Sequence, residues 1–502
     1  MVSSGDRAKP GASGLPEAPE PRSERTRGIR SAGGPYAIRS PGPALLLAAA
    51  CAVACAGAPS AAPDLRPSDD ALIDDLEHRT FDFFWRTTNP DNGLVPDRYP
   101  TPSFSSIAAV GFGLTAYAVG VERGWVTRAA ARDRVRTTLV FFRDAPQGDA
   151  ATGVTGYKGF YYHFLDMKTG VRFKDVELSS IDTALLLAGV LFCREYFSDA
   201  SPEDAELRGL ADALLERADW RWMQARAPAI AMGWTPEHGF LDYDWIGYNE
   251  GMIVLLLALG SPTFAVEPAA WERWTSGYAF GVAHGQEYLM FPPLFGHQYS
   301  HLWVDFRKIR DRYMAAHDLD YFENSRRATY AQRAYAIANP DGWTGYGADV
   351  WGLTASDGPG DMTVAIAGKS RTFRGYAARG MAAYDDGTLA PTAMVSSLPF
   401  APEIVVPGIR ELLLRHGAQI YREYGFVDAF NPSFPATARP ATGAVVPGAG
   451  WVDVDYLGID QGPIIGMIEN HRSALIWNVL HRSDYLRRGL ERAGFTGGWL
   501  AP

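Results

Sequence analysis

The 502-residue sequence predicts an all-α fold, an (α/α)6 barrel of six helix pairs with a small β-hairpin near the mouth of its cleft. Three observations predict it: helical segments alternate between two classes, the links between them alternate in length, and the long links hold most of the Gly, Pro and aromatic residues. Segments 69–87, 127–143, 202–220, 319–338 and 403–422, with 267–280 as a weaker member, each carry one charged face. An apolar stripe opposite such a face marks a helix lying between core and water. Segments 105–121, 179–197, 249–260, 300–316, 390–398 and 461–480 are apolar or small around most of their circumference, which predicts burial on all sides. Six of each, in alternation and beginning with a charged-face segment, make an inner ring packed inside an outer ring.

In chain order, residues 1–63 stand apart from this scheme and 64–502 form the barrel domain. Residues 1–42 are rich in Arg, Pro, Gly and Ser and have too few apolar groups for a core. The run ALLLAAACAVACAGAPSAA at 44–62 follows Arg25, Arg27, Arg30 and Arg39 and ends in small residues, the pattern of an export signal rather than a membrane span. Cys55 in Val-Ala-Cys resembles a lipid-anchor site, with simple cleavage near Ala62 as the alternative, and on either reading the expected location is the periplasm or cell surface. Links from inner to outer helices are short, at 122–126, 198–201, 261–266, 317–318 and 399–402. Links from outer to inner helices are long, at 88–104, 144–178, 221–248, 281–299, 339–389 and 423–460. The long links emerge at one end, so the site is expected there, around the N-termini of the inner helices. Segment 157–173 alternates as a hairpin does and is expected beside the mouth.

Charge and cysteine narrow the function. The chain has 47 basic and 57 acidic residues; residues 1–63 hold seven of the basic and four of the acidic ones, so the barrel domain carries a formal charge of −13. That argues against nucleic acid and polyuronate partners. Beyond the leader only Cys193 remains, in the apolar run LLLAGVLFC, so it is read as a core thiol. A monomer is expected.

The chemistry concentrates in 233–251, GWTPEHGFLDYDWIGYNEG, where carboxylates sit among Trp, Tyr and Phe. Flat rings stack on sugar C–H faces while carboxylates hold hydroxyls and move protons, so this mixture points to a carbohydrate cleft. Trp234, Tyr243, Trp245 and Tyr248 are the stacking candidates, and Asp242 and Asp244 the hydroxyl ligands. Glu250 opens an otherwise apolar helix, where the helix dipole favours a base and apolar walls favour an acid; it is the first catalytic candidate. Glu177 lies just before the preceding buried helix, at 179–197, without a local partner, while Ser179 and Asp182 have capping-box spacing, so Asp182 is read both as cap and as ligand-facing acid. His297 and His301 have an i,i+4 metal spacing but no third ligand, and no metal or cofactor is expected. Glu469 is expected to pair with Arg472 by i,i+3 spacing.

Eight segments then resemble one family in order: VELSSIDTALLLAG (176–189), GWTPEHGFLDYDWIGYNEGM (233–252), LALGSPT (257–263), FGHQYSHLWVDFR (295–307), WGLTASDGP (351–359), DDGTLAPTAMVSSLPFAPE (385–403), YGFVDAFNP (424–432) and WVDVDYLGIDQGPIIGMIENHRS (451–473). They are similar to the bacterial glucoamylase-like proteins, which include glycoside hydrolase family 144. The resemblance implies the (α/α)6 barrel, secretion, and hydrolysis of β-1,2-glucan with inversion and without a metal. It carries the family's candidate acids onto Glu177, Asp182 and Glu250. In the matching blocks His297, Gln298, Trp303, Asp357, Asp386, Asn431, Asp460 and Gln461 are further substrate-binding candidates. The Arg-rich segment 366–380 is where the chain departs from the pattern. Two other classes stay open: a polysaccharide lyase on a helical toroid, and a noncatalytic glycan-binding lipoprotein.

Overall fold

The computed structural model describes residues 68–501; the leader at 1–63 and the anchor at Cys55 lie outside the described residues. The described chain is predominantly helical with small antiparallel strand elements. Its helices are α1 (Asp69–Thr87), α2 (Ile107–Glu122), α3 (Arg128–Asp144), α4 (Ser180–Tyr196), α5 (Pro202–Arg217), α6 (Met252–Gly260), α7 (Ala269–Thr275), α8 (Tyr299–Trp303), α9 (Arg312–Ala316), α10 (Tyr321–Ala338), α11 (Pro391–Val395), α12 (Pro402–Ile420), α13 (Gly458–Arg472), α14 (Leu475–Leu480) and α15 (Asp484–Arg492). Their starts follow from the sequence: the side chains of Ser68, Ser106, Thr127, Ser179, Ser201 and Asp320 each accept a first-turn backbone N–H.

Helices α2, α4, α6 and α13 are buried over nearly their whole circumference, whereas α1, α3, α5, α10 and α12 bury one face. The buried helices form a circuit. α2 packs on α4, α4 on α6, α11 on α13 and α13 back on α2. The α6–α8 step is made by Ile253 N–H donating to Ser300 Oγ at 3.1 Å, and the α8–α11 step by Gln298 Nε2 donating to Ala393 O at 2.8 Å. The α2–α4 crossing is close because it is built on glycine: a Cβ on Gly189 would lie 2.1 Å from the Gly111 carbonyl oxygen. Any larger residue there would push the two helices apart. Cys193 is buried and its thiol faces Leu114 O at 3.3 Å, as a core thiol does.

Four local expectations are corrected. The helix expected over 300–316 is two helices, α8 and α9, because Asp305 bonds its own neighbour Arg307 at 2.7 Å and Asp311 starts a new helix by capping Met314 N–H. The helix expected over 461–480 breaks at Ala474, whose φ is 56°, giving α13 and α14. Segment 157–173 is not one hairpin: Gly156–Tyr157 pairs with Phe160–Tyr161, and Phe164–Leu165 crosses to Ser105–Ser106. Glu469 does not pair with Arg472. It meets Arg123 of α2 at 2.7 Å, while Arg472 reaches Glu77 of α1 at 2.5 Å and Asp74 at 3.0 Å. Both Glu77 and Glu469 are buried, so each takes its counter-ion from a neighbouring helix rather than from its own exposed turn. Helix α15 was not foreseen; it packs on α6, with the Tyr485 hydroxyl donating to Leu257 O at 2.9 Å.

Candidate active site

The acids gather at the N-terminal ends of the buried helices. Glu177 precedes Leu178–Ser179, a short strand that pairs with Gly233–Thr235 and runs into α4. Asp182 lies in the first turn of α4, where its N–H bonds Ser179 Oγ at 3.1 Å and its carboxylate accepts the same hydroxyl, so the capping pair forms. Across from both stands His163, placed between two short strands by its N–H on Glu177 O at 2.9 Å. Its imidazole joins the two acids: Nδ1 lies 2.9 Å from Glu177 Oε1 and Nε2 lies 3.5 Å from Asp182 Oδ1. Burial opposes the charged imidazole, but the Asp182 charge and the Glu177 hydrogen bond outweigh it and push the pKa up to about 9. Glu177 answers in kind. Its burial favours the neutral acid, yet the His163 hydrogen bond and charge hold it below the usual carboxylate range.

Glu250 sits two residues ahead of α6 and has no such cation. Its Oε2 is shut off from solvent and meets no hydrogen-bond partner in the protein, and burial, with a contribution from the Asp182 charge, raises its pKa to about 7. The two glutamates are thereby driven apart: one ionised by an imidazolium, one protonated by desolvation. Paired carboxylates of unequal pKa are what acid/base chemistry at a glycosidic bond requires.

A second acidic group flanks the first. Asp428, Asp453 and Asp357 each place a carboxylate oxygen within 4.8 Å of the others. The Asp357 N–H donates to Asp428 Oδ2 at 2.7 Å, and Arg98 donates to Asp357 Oδ2 at 2.5 Å and to Asp97 Oδ2 at 3.3 Å. Burial, then the Asp460 charge, raises the pKa of Asp428; burial likewise raises Asp460 and Asp453, so this group holds protons shared among carboxylates. Oxygen-only donors of this kind suit a hard cation or sugar hydroxyls. Tyr299 of α8 joins the two groups, since its hydroxyl feels the charges of Asp460, Glu250 and Asp182.

Several sequence candidates are placed elsewhere and are corrected here. Trp245, Tyr248 and Trp303 are buried in the main core; Trp245 Nε1–H donates to Ser180 Oγ and Trp303 Nε1–H to Thr115 Oγ1, so neither ring presents a face to a sugar. His297 is fully buried against Tyr248, and burial drives its pKa down to about 3, leaving it neutral. Its Nε2 faces Phe291 O while His301 Nε2 faces Ser325 Oγ, so the two histidines serve separate partners. Gln298 donates its amide N–H groups to Ala393 O and Ser397 Oγ, and Gln461 donates to Phe426 O. Asp386 is buried in an ion pair with Arg379 at 2.8 Å, and Asn431 donates to Asp386 O. Asp244 is taken up by Arg226 at 2.7 Å. Trp234 remains half-buried beside Tyr157 and Trp222, and Asp242 and Tyr243 are exposed. Asp357 and Asp460 lie in the second acidic group. Sequence reasoning missed His163, Asp97, Arg98, Asp428, Asp453 and Tyr299. The one signal for the aspartates was their density in YGFVDAFNP and WVDVDYLGID. A cavity of about 370 Å³ lined by Glu122, Arg123, Glu469 and Ser473 lies at the C-terminal ends of α2 and α13, away from these acids.

Against this geometry, the family described as Glycoamylase, putative glucoamylase, matches residues 242–484, a span that includes Glu250. The solved structure of a putative glucoamylase from Bacteroides uniformis ATCC 8492 is 32% identical, with a TM-score of 0.75 over 87% of this chain and 100% of that one. An endo-β-1,2-glucanase from Chitinophaga pinensis, solved with sophorotriose and glucose, is 27% identical, with a TM-score of 0.74 over 87% of this chain and 100% of that one. An exo β-1,2-glucooligosaccharide sophorohydrolase (non-reducing end) from Parabacteroides distasonis is 28% identical over 85% of this chain; the chain spans 58% of that protein's length. With a relative above 30% identity covered from end to end, this chain belongs to the bacterial glucoamylase-like family, of the glycoside hydrolase family 144 type.

Proposed function

We propose that this protein is a glycoside hydrolase that cleaves a β-glucan, β-1,2-glucan before others, by a metal-independent acid/base reaction with inversion. The observation that carries the reading is Glu250, half-buried with its Oε2 buried and unpartnered and its pKa raised to about 7, together with Glu177, held ionised by His163. Glu250 delivers its proton to the leaving glycosidic oxygen. Glu177 stays ionised and draws a proton from water on the opposite face of the sugar, a reaction that calls for two carboxyls roughly 6.5–9.5 Å apart to admit this water. Asp182 keeps His163 charged and adds its negative field to Glu250, so it positions the pair. The linkage is suggested by the two relatives acting on β-1,2-linked glucose, one exo-acting and one endo-acting. Sugar hydroxyls are held by the second acidic group through Asp357 and Asp460, with Trp234, Asp242 and Tyr243 at the rim.

We further infer that the circuit of buried helices is the inner ring of an (α/α)6 barrel, that residues 1–63 direct export, with Cys55 as anchor, and that the enzyme works as a monomer. The test of the chemistry is the pair Glu250→Gln and Glu177→Gln. Each should lower kcat on β-1,2-glucan by about 10²-fold or more while the protein still folds and binds the glucan. Full activity in both variants rejects the assignment.

A further inference from the structure

We propose, on the basis of the hydrolase reading above, that Tyr376 is a sugar-contacting residue whose ring forms a stacking platform on the Asp357–Asp428–Asp460 side of the cleft and sets how the glucan is held there. Tyr376 is 55% exposed, a large aromatic with most of its surface left open to solvent. It is not exposed through looseness. It lies in the short turn between the strand Lys369–Phe373 and the strand Ala377–Ala378, and the latter pairs with Ala355–Ser356 in the register Ser356↔Ala377. That register sets Tyr376 opposite Asp357, a member of the second acidic group.

The turn is pinned from beneath by Arg379, whose side chain is fully buried. Its guanidinium donates to Asp386 Oδ1 at 2.8 Å and Oδ2 at 3.0 Å, to Ser356 O at 2.7 Å, and to the Gly375 and Arg374 carbonyls at 3.1 and 3.3 Å. Five hydrogen bonds from its three nitrogens thus tie the turn to the strand beside it and to Asp386, which makes Arg379 a positioning residue for whatever the turn presents. The packing is tight: a Cβ on Gly358 would lie 2.3 Å from Arg374 O. The turn presents Tyr376. Its hydroxyl feels Asp460, Asp428, Asp357 and Asp97, and Tyr299, which feels Glu250 and Asp182, feels Tyr376 as well. A rigid ring beside carboxylates offers an apolar face for pyranose C–H groups and acceptors for the hydroxyls around them. The residue lies in the Arg-rich segment 366–380, which the sequence reading sets apart from the family pattern, so on this proposal it tunes which length of glucan is preferred.

The experiment measures kcat/KM and product lengths on β-1,2-glucan for the wild type, Tyr376→Ala and Tyr376→Phe. Binding of β-1,2-glucooligosaccharides is measured by calorimetry in the Glu250→Gln background with and without Tyr376→Ala. Tyr376→Ala should lower kcat/KM about 10-fold, chiefly through KM, weaken binding by a similar factor, shift the product lengths and leave the melting temperature unchanged. Tyr376→Phe, which keeps the ring, should stay within about 3-fold of wild type. Unaltered kcat/KM and equal affinities with an active wild type overturn this proposal and leave the hydrolase reading standing. A wild type that neither cleaves nor binds any glucan overturns both.

Discussion

Glu250 ties burial to a measurable pH dependence. Its carboxyl must be protonated to act as an acid, and its pKa is raised to about 7, so kcat/KM should fall as pH rises through about 7. Glu177 must be ionised, and its pKa is lowered by His163, so the acid limb should lie below the ordinary glutamate range. The same shift acts on stability with the opposite sign from a salt-bridged acid: a folded pKa above the unfolded one favours the protonated state, so the Glu250 contribution is lost as pH climbs from about 4.5 to about 7. Glu250→Gln, which cannot ionise, should therefore melt at or above the wild type at pH 8, and a clear drop there would contradict the burial argument. Trp245 makes the opposite case. Its indole is 4% exposed and hydrogen-bonded to Ser180, so Trp245→Ala should cost about 3–5 kcal/mol in denaturant unfolding, and a loss of glucan affinity with unchanged stability would return the ring to the cleft. From sequence, the aromatic and acidic mixture of 233–251 was legible, but which rings face inward was not. Alternation tells only that neighbours point apart, and His163 in YYHFL carried no signal because its partners, Glu177 and Asp182, are reached only by the pairing of short strands.

Among the elements, α1, α2 and α13 are joined by buried charge. Glu77 and Glu469 lie side by side with Arg123 and Arg472, and burial, followed by the Glu469 charge, raises the Glu77 pKa to about 8. Removing one cation leaves a buried carboxylate uncompensated, so Arg123→Ala should destabilise the fold by about 3–5 kcal/mol, measured by denaturant unfolding, with kcat on glucan unchanged because these residues lie at the far helix ends. A neutral effect on stability would mean that water reaches the pair. Helix positions were the most legible feature: α1 occupies the expected 69–87, and α3, α4 and α10 fall within two residues of expectation. Periodicity carries that information. It does not carry breaks made by tertiary bonds, which is why α8 and α9, divided by the Asp305 and Asp311 turns, read as one helix, and why the Ala474 break was invisible. The i,i+3 reading of Glu469 and Arg472 failed for the same reason, since both side chains found better partners on neighbouring helices.

For the molecule as a whole, the acidic balance of residues 64–502 bears on its substrate. A neutral glucan gains nothing from electrostatic steering, so KM should change little between low salt and about 0.5 M salt, whereas a charged polymer would show a steep dependence. Export, proposed from the leader, is checked by intact mass: the mature form should lack the residues before the cleavage site, and Met1 on a cytosolic protein would contradict it. The ring of buried helices matters to function because it brings Glu177, Asp182, Glu250 and Asp460, from sequence positions nearly three hundred residues apart, to one set of helix N-termini. The account stands on what those acids do to a glycosidic bond. The most direct measurement is proton NMR of the first product released from β-1,2-glucan, followed from the start of the reaction before mutarotation. The account predicts the α-anomer at the new reducing end, absent when Glu250 is Gln; a β-anomer, or undiminished turnover by Glu250→Gln, would contradict it.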